Sequence, residues 1–185
     1  MTLGILLSIV FGLGWLPLFL FRAESLGKAL PSYRGSERFW VLAAPAILAV
    51  HVTASCLALN FTPEIPTARA VISLLVFVAG VAFWLWARAT IGPVRIRRLP
   101  EQAPERLRRD GPFGVVRNPL YFGVLVAAAA PAFAAAQPLL AVSYAICVGA
   151  LAIRAVQEER RLHAQLGPVY EAYCRKVRCL IPFVW

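Results

Sequence analysis

Long apolar stretches, separated by short polar segments, run through most of this chain. Three of them, Thr2–Phe21, Phe39–Leu59 and Thr67–Ala87, each contain about the 20 residues that a helix needs to cross a bilayer. Two more, Leu120–Ala136 and Pro138–Ile153, are shorter and follow each other almost directly. We expect this pair to form a tight helical hairpin. The pattern therefore predicts an all-α, polytopic membrane protein with about five transmembrane helices.

The composition agrees with a membrane protein, because 60% of the residues are hydrophobic and only 15% are charged. We expect a single integral-membrane domain over residues 1–185, with three membrane helices in 1–87 and a functional core in 88–185. The first apolar stretch has no basic residues before it and no small-residue cleavage site before Arg22. It is therefore expected to remain as a helix and not to be removed as a signal peptide.

The basic residues are unevenly distributed along the chain, whose net charge is +10. Of the 19 Lys and Arg residues, 18 lie in the 22–38 loop, in the 88–117 segment or from residue 154 onward. The positive-inside rule then places the N-terminus and the 60–66 connection outside, and the C-terminus in the cytoplasm. Topology and contact with anionic head groups of membrane lipids explain the basic charge, so no nucleic-acid binding is expected.

The cysteines and histidines do not indicate a metal site. The four cysteines form no CxxC pair and no Cys/His spacing that suits a metal, and the two histidines are isolated. Arg outnumbers Lys by 17 to 2 and Ala is abundant, a usage typical of GC-rich bacterial genomes. We therefore expect a bacterial inner-membrane protein whose functional site faces the cytoplasm.

The segment Thr90–Val116 is the long cytoplasmic connection of the predicted topology. Its four prolines, together with Gly92 and Gly111, exclude a continuous helix. An irregular connection of this length typically forms a binding loop or lid in a compact protein. A solvated basic loop that contacts lipid head groups would have the same composition, so both interpretations stay open.

The hairpin is rich in alanine, above all in Ala127–Ala130 and Ala132–Ala136. Small side chains allow membrane helices to approach closely, within one molecule or between two copies, so the oligomeric state stays open. Pro131 and Pro138 are expected to bend or break the helices near the outer tip.

Beyond the hairpin, two helical segments are predicted on the cytoplasmic side. The second helix of the hairpin is expected to continue over Arg154–Leu166 and to stop at Gly167-Pro168, a typical helix end. An amphipathic helix over Val169–Val177 follows, with Tyr170 and Tyr173 on one face and basic residues that suit the membrane surface.

Polar residues stand at both feet of the hairpin, where folding brings them together. Arg117-Asn118-Pro119 precedes it, and this tripeptide can be explained as an anchor, a helix N-cap and a first helical residue. Glu158-Glu159 follows it, at a helix end where the dipole and the topology both favour cations. Arg154 lies one turn before Glu158, where it can form an ion pair or receive an anionic substrate group.

The motifs of residues 88–185 occur in a specific order. They read Gly-Pro-aromatic, Arg-Asn-Pro-x-Tyr-x-Gly, a hairpin, Arg-x-x-x-Glu-Glu-x-x-Leu, Gly-x-x-Tyr-x-x-Tyr and a terminal Arg178…Pro182. This order resembles the integral-membrane methyltransferases of the isoprenylcysteine carboxyl methyltransferase and phospholipid methyltransferase superfamily. The resemblance implies a cofactor, S-adenosylmethionine, held between the feet of the hairpin and the preceding loop, which makes 88–185 the cofactor-binding methyltransferase-like core.

The resemblance also assigns roles to individual residues. The lining of the cofactor pocket would come from Phe113, Asn118, Pro119, Leu120 and Tyr121, with Arg106, Leu107 and Arg108 as a cover. Glu158 would bind the amino group of the cofactor, and Arg154 corresponds to the substrate-binding arginine of the carboxyl methyltransferases. Many members have His where this chain has Asn118, and an amide cannot titrate, so position 118 receives no acid–base role.

The chemistry of these residues suits methyl transfer. A glutamate can pair with the ammonium of the cofactor, and Arg117 with its carboxylate. A carboxylate acceptor is already nucleophilic and needs only to be oriented by Arg154, whereas an amine acceptor needs a base, for which Glu159 is the candidate.

We therefore expect methylation of a lipophilic acceptor that enters from the bilayer, with carboxylate O-methylation favoured. The alternatives are N-methylation of a phospholipid amine, an NADPH-dependent reductase of the sterol-reductase type, whose C-terminal motif is similar, and a non-catalytic membrane scaffold.

Overall fold

The computed structural model of the protein describes residues 2–29, 35–62, 64–91 and 107–182. The regular secondary structure within these ranges is helical, as the apolar pattern predicts. Its six α-helices are α1 (Leu3–Ala29), α2 (Gly35–Phe61), α3 (Thr67–Ile91), α4 (Pro119–Ala135), α5 (Pro138–Leu166) and α6 (Pro168–Cys174). Strand-like pairing in the same ranges consists of a single isolated bridge.

Three helices of the described ranges, α2, α3 and α5, are long and apolar enough to cross a membrane. Apolar helical stretches also occur in Leu3–Leu16 of α1 and in α4, but they are shorter. The structure therefore supports a membrane protein. The five-span topology and its orientation stay predictions.

Several helix boundaries differ from those that the apolar pattern predicts. The helix α1 runs on to Ala29 and α2 begins at Gly35, so the predicted 22–38 loop is largely helical. The polar stretch after Arg22 contains Ala, Glu, Leu and Lys, which favour helix, so the helix outlasts its apolar residues. Pro131 lies inside α4 without ending it, and Pro138 starts α5. Of the connection predicted over Thr90–Val116, residues 92–106 lie outside the described part of the chain.

The helices α3 and α4 make the most extensive contact of any helix pair in the described chain. Their backbones approach closely at Gly80 of α3 and Gly123 of α4. A Cβ atom added to Gly123 would lie 2.8 Å from the backbone nitrogen of Trp84 and 2.9 Å from the carbonyl oxygen of Gly80. A Cβ atom at Gly80 would in turn meet the backbone of Ala127. Gly80, Gly123 and Ala127 therefore allow the backbones of α3 and α4 to lie in direct contact.

Aromatic rings fill the space between α1 and α3. Phe11 and Trp15 of α1 are almost fully buried, and both lie against Phe77 of α3. The ring centroids of Phe11 and Phe77 are 4.9 Å apart, and those of Trp15 and Phe77 are 6.2 Å apart. This cluster attaches the N-terminal helix to the rest of the bundle.

His51 joins three helices in the interior of the bundle. It lies on α2 and is 1% exposed. Its Nδ1 atom is 2.7 Å from the hydroxyl of Ser143 on α5, and its Nε2 atom is 3.0 Å from the carbonyl oxygen of Ala128 on α4. These two hydrogen bonds explain an isolated histidine in an apolar helix as a structural residue.

Replacing His51 by Leu is expected to lower the free energy of unfolding by about 1–3 kcal/mol, because both interhelical hydrogen bonds are lost while the apolar volume stays similar. Thermal unfolding of the purified protein in detergent micelles measures the effect. The matched control is Ser73→Ala on α3, since the buried hydroxyl of Ser73 donates to Ala70 of its own helix and, among the described residues, joins no other helix. An unchanged unfolding midpoint for His51→Leu would contradict the proposed bridge.

Candidate functional site

A short 3₁₀ turn, Gly111–Gly114, lies immediately upstream of α4. Gly111 has a φ of +57°, a left-handed conformation that favours glycine, and an added Cβ would lie 3.3 Å from Oγ1 of Thr90 at the end of α3. Phe113 is 8% exposed, and its carbonyl oxygen accepts a 2.5 Å hydrogen bond from the hydroxyl of Tyr173 on α6. The turn therefore connects the ends of α3 and α6 at the foot of α4.

The residues before α4 pair with the chain that follows α6. Val116 and Arg178 form the isolated parallel bridge. The Arg117 amide donates to the Arg178 carbonyl over 2.8 Å, and the Asn118 amide donates to the Cys179 carbonyl over 3.0 Å. The sequence did not predict this contact, because nothing in its local pattern links residues 61 positions apart.

Asn118 occupies the N-cap position of α4 and Pro119 its first turn, as expected, but the Asn118 side chain makes no capping hydrogen bond. Its Nδ2 atom instead donates to the carbonyl oxygen of Cys179 over 3.1 Å, and the side chain is buried. The side chain of Asn118 therefore joins the start of α4 to the C-terminal segment and does not cap the helix.

Arg117, two residues before α4, contacts α5, the last residue of α6 and the chain after α6. Its Nε and Nη2 atoms donate to the two carboxylate oxygens of Glu159 over 2.6 and 2.9 Å. Its Nη1 atom donates to the carbonyl oxygens of Cys174 and Val177 over 3.1 and 2.6 Å. We call these four residues the Arg117 clasp. A bidentate pair of this kind holds both partners in one geometry.

The electrostatics of the Arg117 clasp follow from its burial, since the side chains of Arg117 and Glu159 are 11% and 20% exposed. Burial alone lowers the pKa of Arg117, but the hydrogen bonds and the charge of Glu159 outweigh it and raise the pKa above its ordinary value. Burial, together with the Glu159 carboxylate, raises the pKa of Cys179 to about 12. Both the cationic arginine and the neutral thiol are therefore stable at physiological pH.

This geometry bears on the roles predicted for Arg117 and Glu159. Four hydrogen bonds use four of the five N–H groups of the guanidinium, so a contact from Arg117 to a cofactor carboxylate would have to use the remaining one. Both carboxylate oxygens of Glu159 accept from Arg117. Glu159 can act as a base only if this pair opens.

Arg154 and Glu158 form a second ion pair. Both residues lie on α5, and Arg154 is one turn before Glu158, toward the apolar part of the helix. Arg154 is 1% exposed, and its Nη2 atom donates to Oε1 of Glu158 over 3.3 Å. Its Nη1 atom donates to Oε1 of Gln157 over 2.9 Å. The helical ion pair predicted from the four-residue spacing is thus present, whereas the contribution of Gln157 was not predicted. The only available signal was its position three residues after Arg154.

Around these pairs, the remaining predicted pocket residues divide into two groups. Buried or half-buried side chains at the foot of α4 belong to Phe113, Pro119, Leu120 and Tyr121. The residues predicted to cover the pocket are less buried: Leu107 is half-buried, and Arg108 is half-exposed and lies 3.3 Å from Asp110. Arg106 lies outside the described residues.

Two tyrosines of α6 complete the foot of the hairpin. Tyr170 and Tyr173 are buried, and their ring centroids are 6.0 Å apart. Burial is the main cause that raises the pKa of both phenols above their ordinary value, with Glu159 adding to the effect. Both therefore stay neutral donors at physiological pH, and the Gly-x-x-Tyr-x-x-Tyr motif places them together.

A cavity of about 330 Å³ lies at the other end of the hairpin. It is lined by the end of α4 and the start of α5, including Phe133 and Tyr144. Its lining contains no residue of the Arg117 clasp, nor Arg154 or Glu158, so it has no part in the site at the feet.

Comparisons of the chain with protein-family models, curated proteins and solved structures gave no match. The resemblance to the membrane methyltransferases therefore rests on the sequence motifs alone.

Proposed function

We propose that the protein is an S-adenosylmethionine-dependent methyltransferase that acts at the membrane on a lipophilic acceptor, with O-methylation of a carboxylate as the reaction. The observation that carries this proposal is the fully buried Arg154, which is paired with the partly exposed carboxylate of Glu158. The next residue, Glu159, belongs to the Arg117 clasp. A buried cation at the end of an apolar helix is costly unless it has partners. Glu158 and Gln157 are partners of Arg154, and an anionic acceptor group would be a further one.

The residues at the feet of the hairpin fit the proposed cofactor by their chemistry. Glu158 is 28% exposed, so its carboxylate can take up an ammonium group while it stays paired with Arg154. The aromatic and apolar side chains of Phe113, Pro119 and Tyr121 suit an adenosine moiety. When bound, S-adenosylmethionine would supply an activated methyl group.

In the proposed reaction the protein would bind the acceptor, orient it and exclude water. Arg154 is 1% exposed, so it would have to open toward the acceptor in order to bind its carboxylate. The charge-assisted hydrogen bonds formed there would be strong, because little water reaches this position. Gln157 holds the guanidinium from the side, so that its orientation is fixed before the substrate arrives. An ionised carboxylate needs no base, and this reaction therefore leaves the pair of Arg117 and Glu159 intact.

The engagement of Glu159 favours a carboxylate acceptor over a phospholipid amine. An amine would need Glu159 as its base, and both oxygens of Glu159 already accept hydrogen bonds from Arg117. A sterol-type reductase would bind NADPH. Comparing the thermal stabilisation by NADPH with that by S-adenosylmethionine therefore distinguishes the two enzyme classes, and a scaffold would be stabilised by neither.

Glu158→Gln is expected to weaken the binding of S-adenosylhomocysteine by about 10- to 100-fold, because a charged hydrogen bond to the amino group becomes neutral. Isothermal titration calorimetry on protein in nanodiscs measures this change. The matched control is Glu171→Gln on α6, since Glu171 is 51% exposed and lies near His163 instead of the site. Absence of binding to the folded wild type, or equal affinities of both variants, would contradict the proposal.

A further inference from the structure

We propose that Arg175, Lys176 and Arg178 form a docking surface for anionic phospholipid head groups, and that this contact stabilises the Arg117 clasp. All three side chains are exposed. None of them forms an ion pair with a carboxylate in the part of the chain that the structure describes. Three cations within four consecutive residues, without an acidic partner in the described chain, attract a surface of opposite charge.

The position of these residues points to a membrane surface. The carbonyl oxygen of Arg178 accepts from the amide of Arg117, two residues before Pro119 starts the apolar helix α4. On α5, the apolar part ends at Ile153, and Glu159 lies level with Arg117 because the two form an ion pair. The segment of Arg178 therefore lies where both helices pass from apolar to polar residues, which is the depth of lipid phosphates in a membrane protein.

The acidic residues at this end of the molecule do not neutralise the surface. Glu159 is paired with Arg117, Glu158 with Arg154 and Asp110 with Arg108. Glu171, 4.0 Å from His163, is then a single negative charge beside several exposed cations. Further exposed cations at the same end belong to Arg109 and Arg160. The local field is thus positive and favours lipids with a net negative charge, such as phosphatidylglycerol, over zwitterionic lipids.

The same segment supplies the backbone groups that hold the start of α4. The carbonyl oxygens of Cys174 and Val177 accept from the Arg117 guanidinium, and those of Arg178 and Cys179 accept from the amides of Arg117 and Asn118. Lipid that holds the three side chains in place therefore also holds these carbonyls in place. Binding to the folded form alone must stabilise it by linkage.

The test compares nanodiscs of phosphatidylcholine with nanodiscs that also contain phosphatidylglycerol. For the wild type, the anionic lipid is expected to raise the unfolding midpoint and to slow hydrogen exchange at the amides of Arg117 and Asn118 by about tenfold. In a variant that combines Arg175→Gln, Lys176→Gln and Arg178→Gln, both gains should be absent. The control Arg69→Gln, at the start of α3, should behave like the wild type.

Equal properties of wild type and triple variant in pure phosphatidylcholine establish that the substitutions leave the fold intact. Two results would overturn the proposal: no response of the wild type to anionic lipid, or the same response in the triple variant. A response of the wild type to soluble glycerol phosphate in phosphatidylcholine nanodiscs would also overturn it, because the surface would then bind free anions. Neither readout involves a cofactor or a methyl acceptor, so failure here leaves the proposed function untouched.

Discussion

Replacing Arg117 by Ala lowers the unfolding midpoint by about 5–15 °C, the largest electrostatic effect that we expect for a single side chain of this protein. The substitution removes both hydrogen bonds to Glu159 and both bonds to the carbonyls of Cys174 and Val177. It also leaves the carboxylate of Glu159, which is 20% exposed, without its counterion. Loss of one partner from a largely buried pair costs about 2–4 kcal/mol.

The matched control is Arg108→Ala, which breaks an ion pair whose side chains are 51% and 64% exposed. Exposed pairs contribute at most about 1 kcal/mol, so its midpoint should stay within a few degrees of the wild type. Arg117→Lys should fall between the two, because an ammonium cannot donate to both oxygens of Glu159 and to two carbonyls at once. Equal midpoints for Arg117→Ala and Arg108→Ala, measured by thermal unfolding in nanodiscs, would show that the Arg117 clasp does not stabilise the fold.

Gly123→Val is expected to prevent accumulation of folded protein, because the new side chain would enter the closest backbone contact between α3 and α4. Its Cβ atom alone would lie 2.8 Å from the backbone nitrogen of Trp84 and 2.9 Å from the carbonyl oxygen of Gly80. These are backbone atoms of a helix, which cannot rotate away as a flexible side chain would. Overpacking in a close-packed interior typically costs about 1–3 kcal/mol, and a branched side chain against two helices should exceed this range.

The control for this prediction is Gly149→Val on α5. A Cβ atom at Gly149 has no heavy atom within 4 Å, so this substitution should fold at the wild-type level. Size-exclusion chromatography of detergent extracts measures the folded fraction for both variants, and Gly123→Ala should give an intermediate value. Wild-type amounts of monodisperse Gly123→Val would mean that α3 and α4 are not in backbone contact at this point.

Much of the helical architecture could be predicted from the spacing of apolar residues. The stretch Thr67–Ala87 corresponds to α3, which ends four residues later, and Gly167-Pro168 ends α5 as predicted. The predicted end of α1 is wrong, because helix-forming polar residues continue a helix that apolar residues have started. Apart from the expected pairing of the last two apolar stretches, the sequence did not reveal which helices pack together. The contact of α3 with α4 depends on glycines that come into register only in three dimensions.

The contacts of the candidate site could likewise be predicted only in part. The pair of Arg154 and Glu158 could be predicted, because residues four apart lie on one face of a helix. The partner of Arg117 could not, because Glu159 is 42 residues away and its neighbour Glu158 carries the same charge. The packing of α5 beside α4 determines that Glu159, and not Glu158, contacts Arg117. The hydrogen bonds from Asn118 to Cys179 could not be predicted, because every residue has a backbone carbonyl and the sequence does not indicate which one accepts.

The pairing of Asn118 with Cys179 also leads us to expect an order of folding for this part of the chain. Contacts within the hairpin, such as the 3.1 Å hydrogen bond from Tyr144 to the carbonyl of Leu125, join residues 19 positions apart. The bond from Asn118 to Cys179 joins residues 61 positions apart, so its loop has a larger closure entropy. The hairpin should therefore assemble early, with its foot still open, and the late arrival of the segment around Cys179 would complete it. Folding intermediates of this protein would then contain the contacts between α4 and α5 and lack the hydrogen bonds that join the start of α4 to the segment around Cys179.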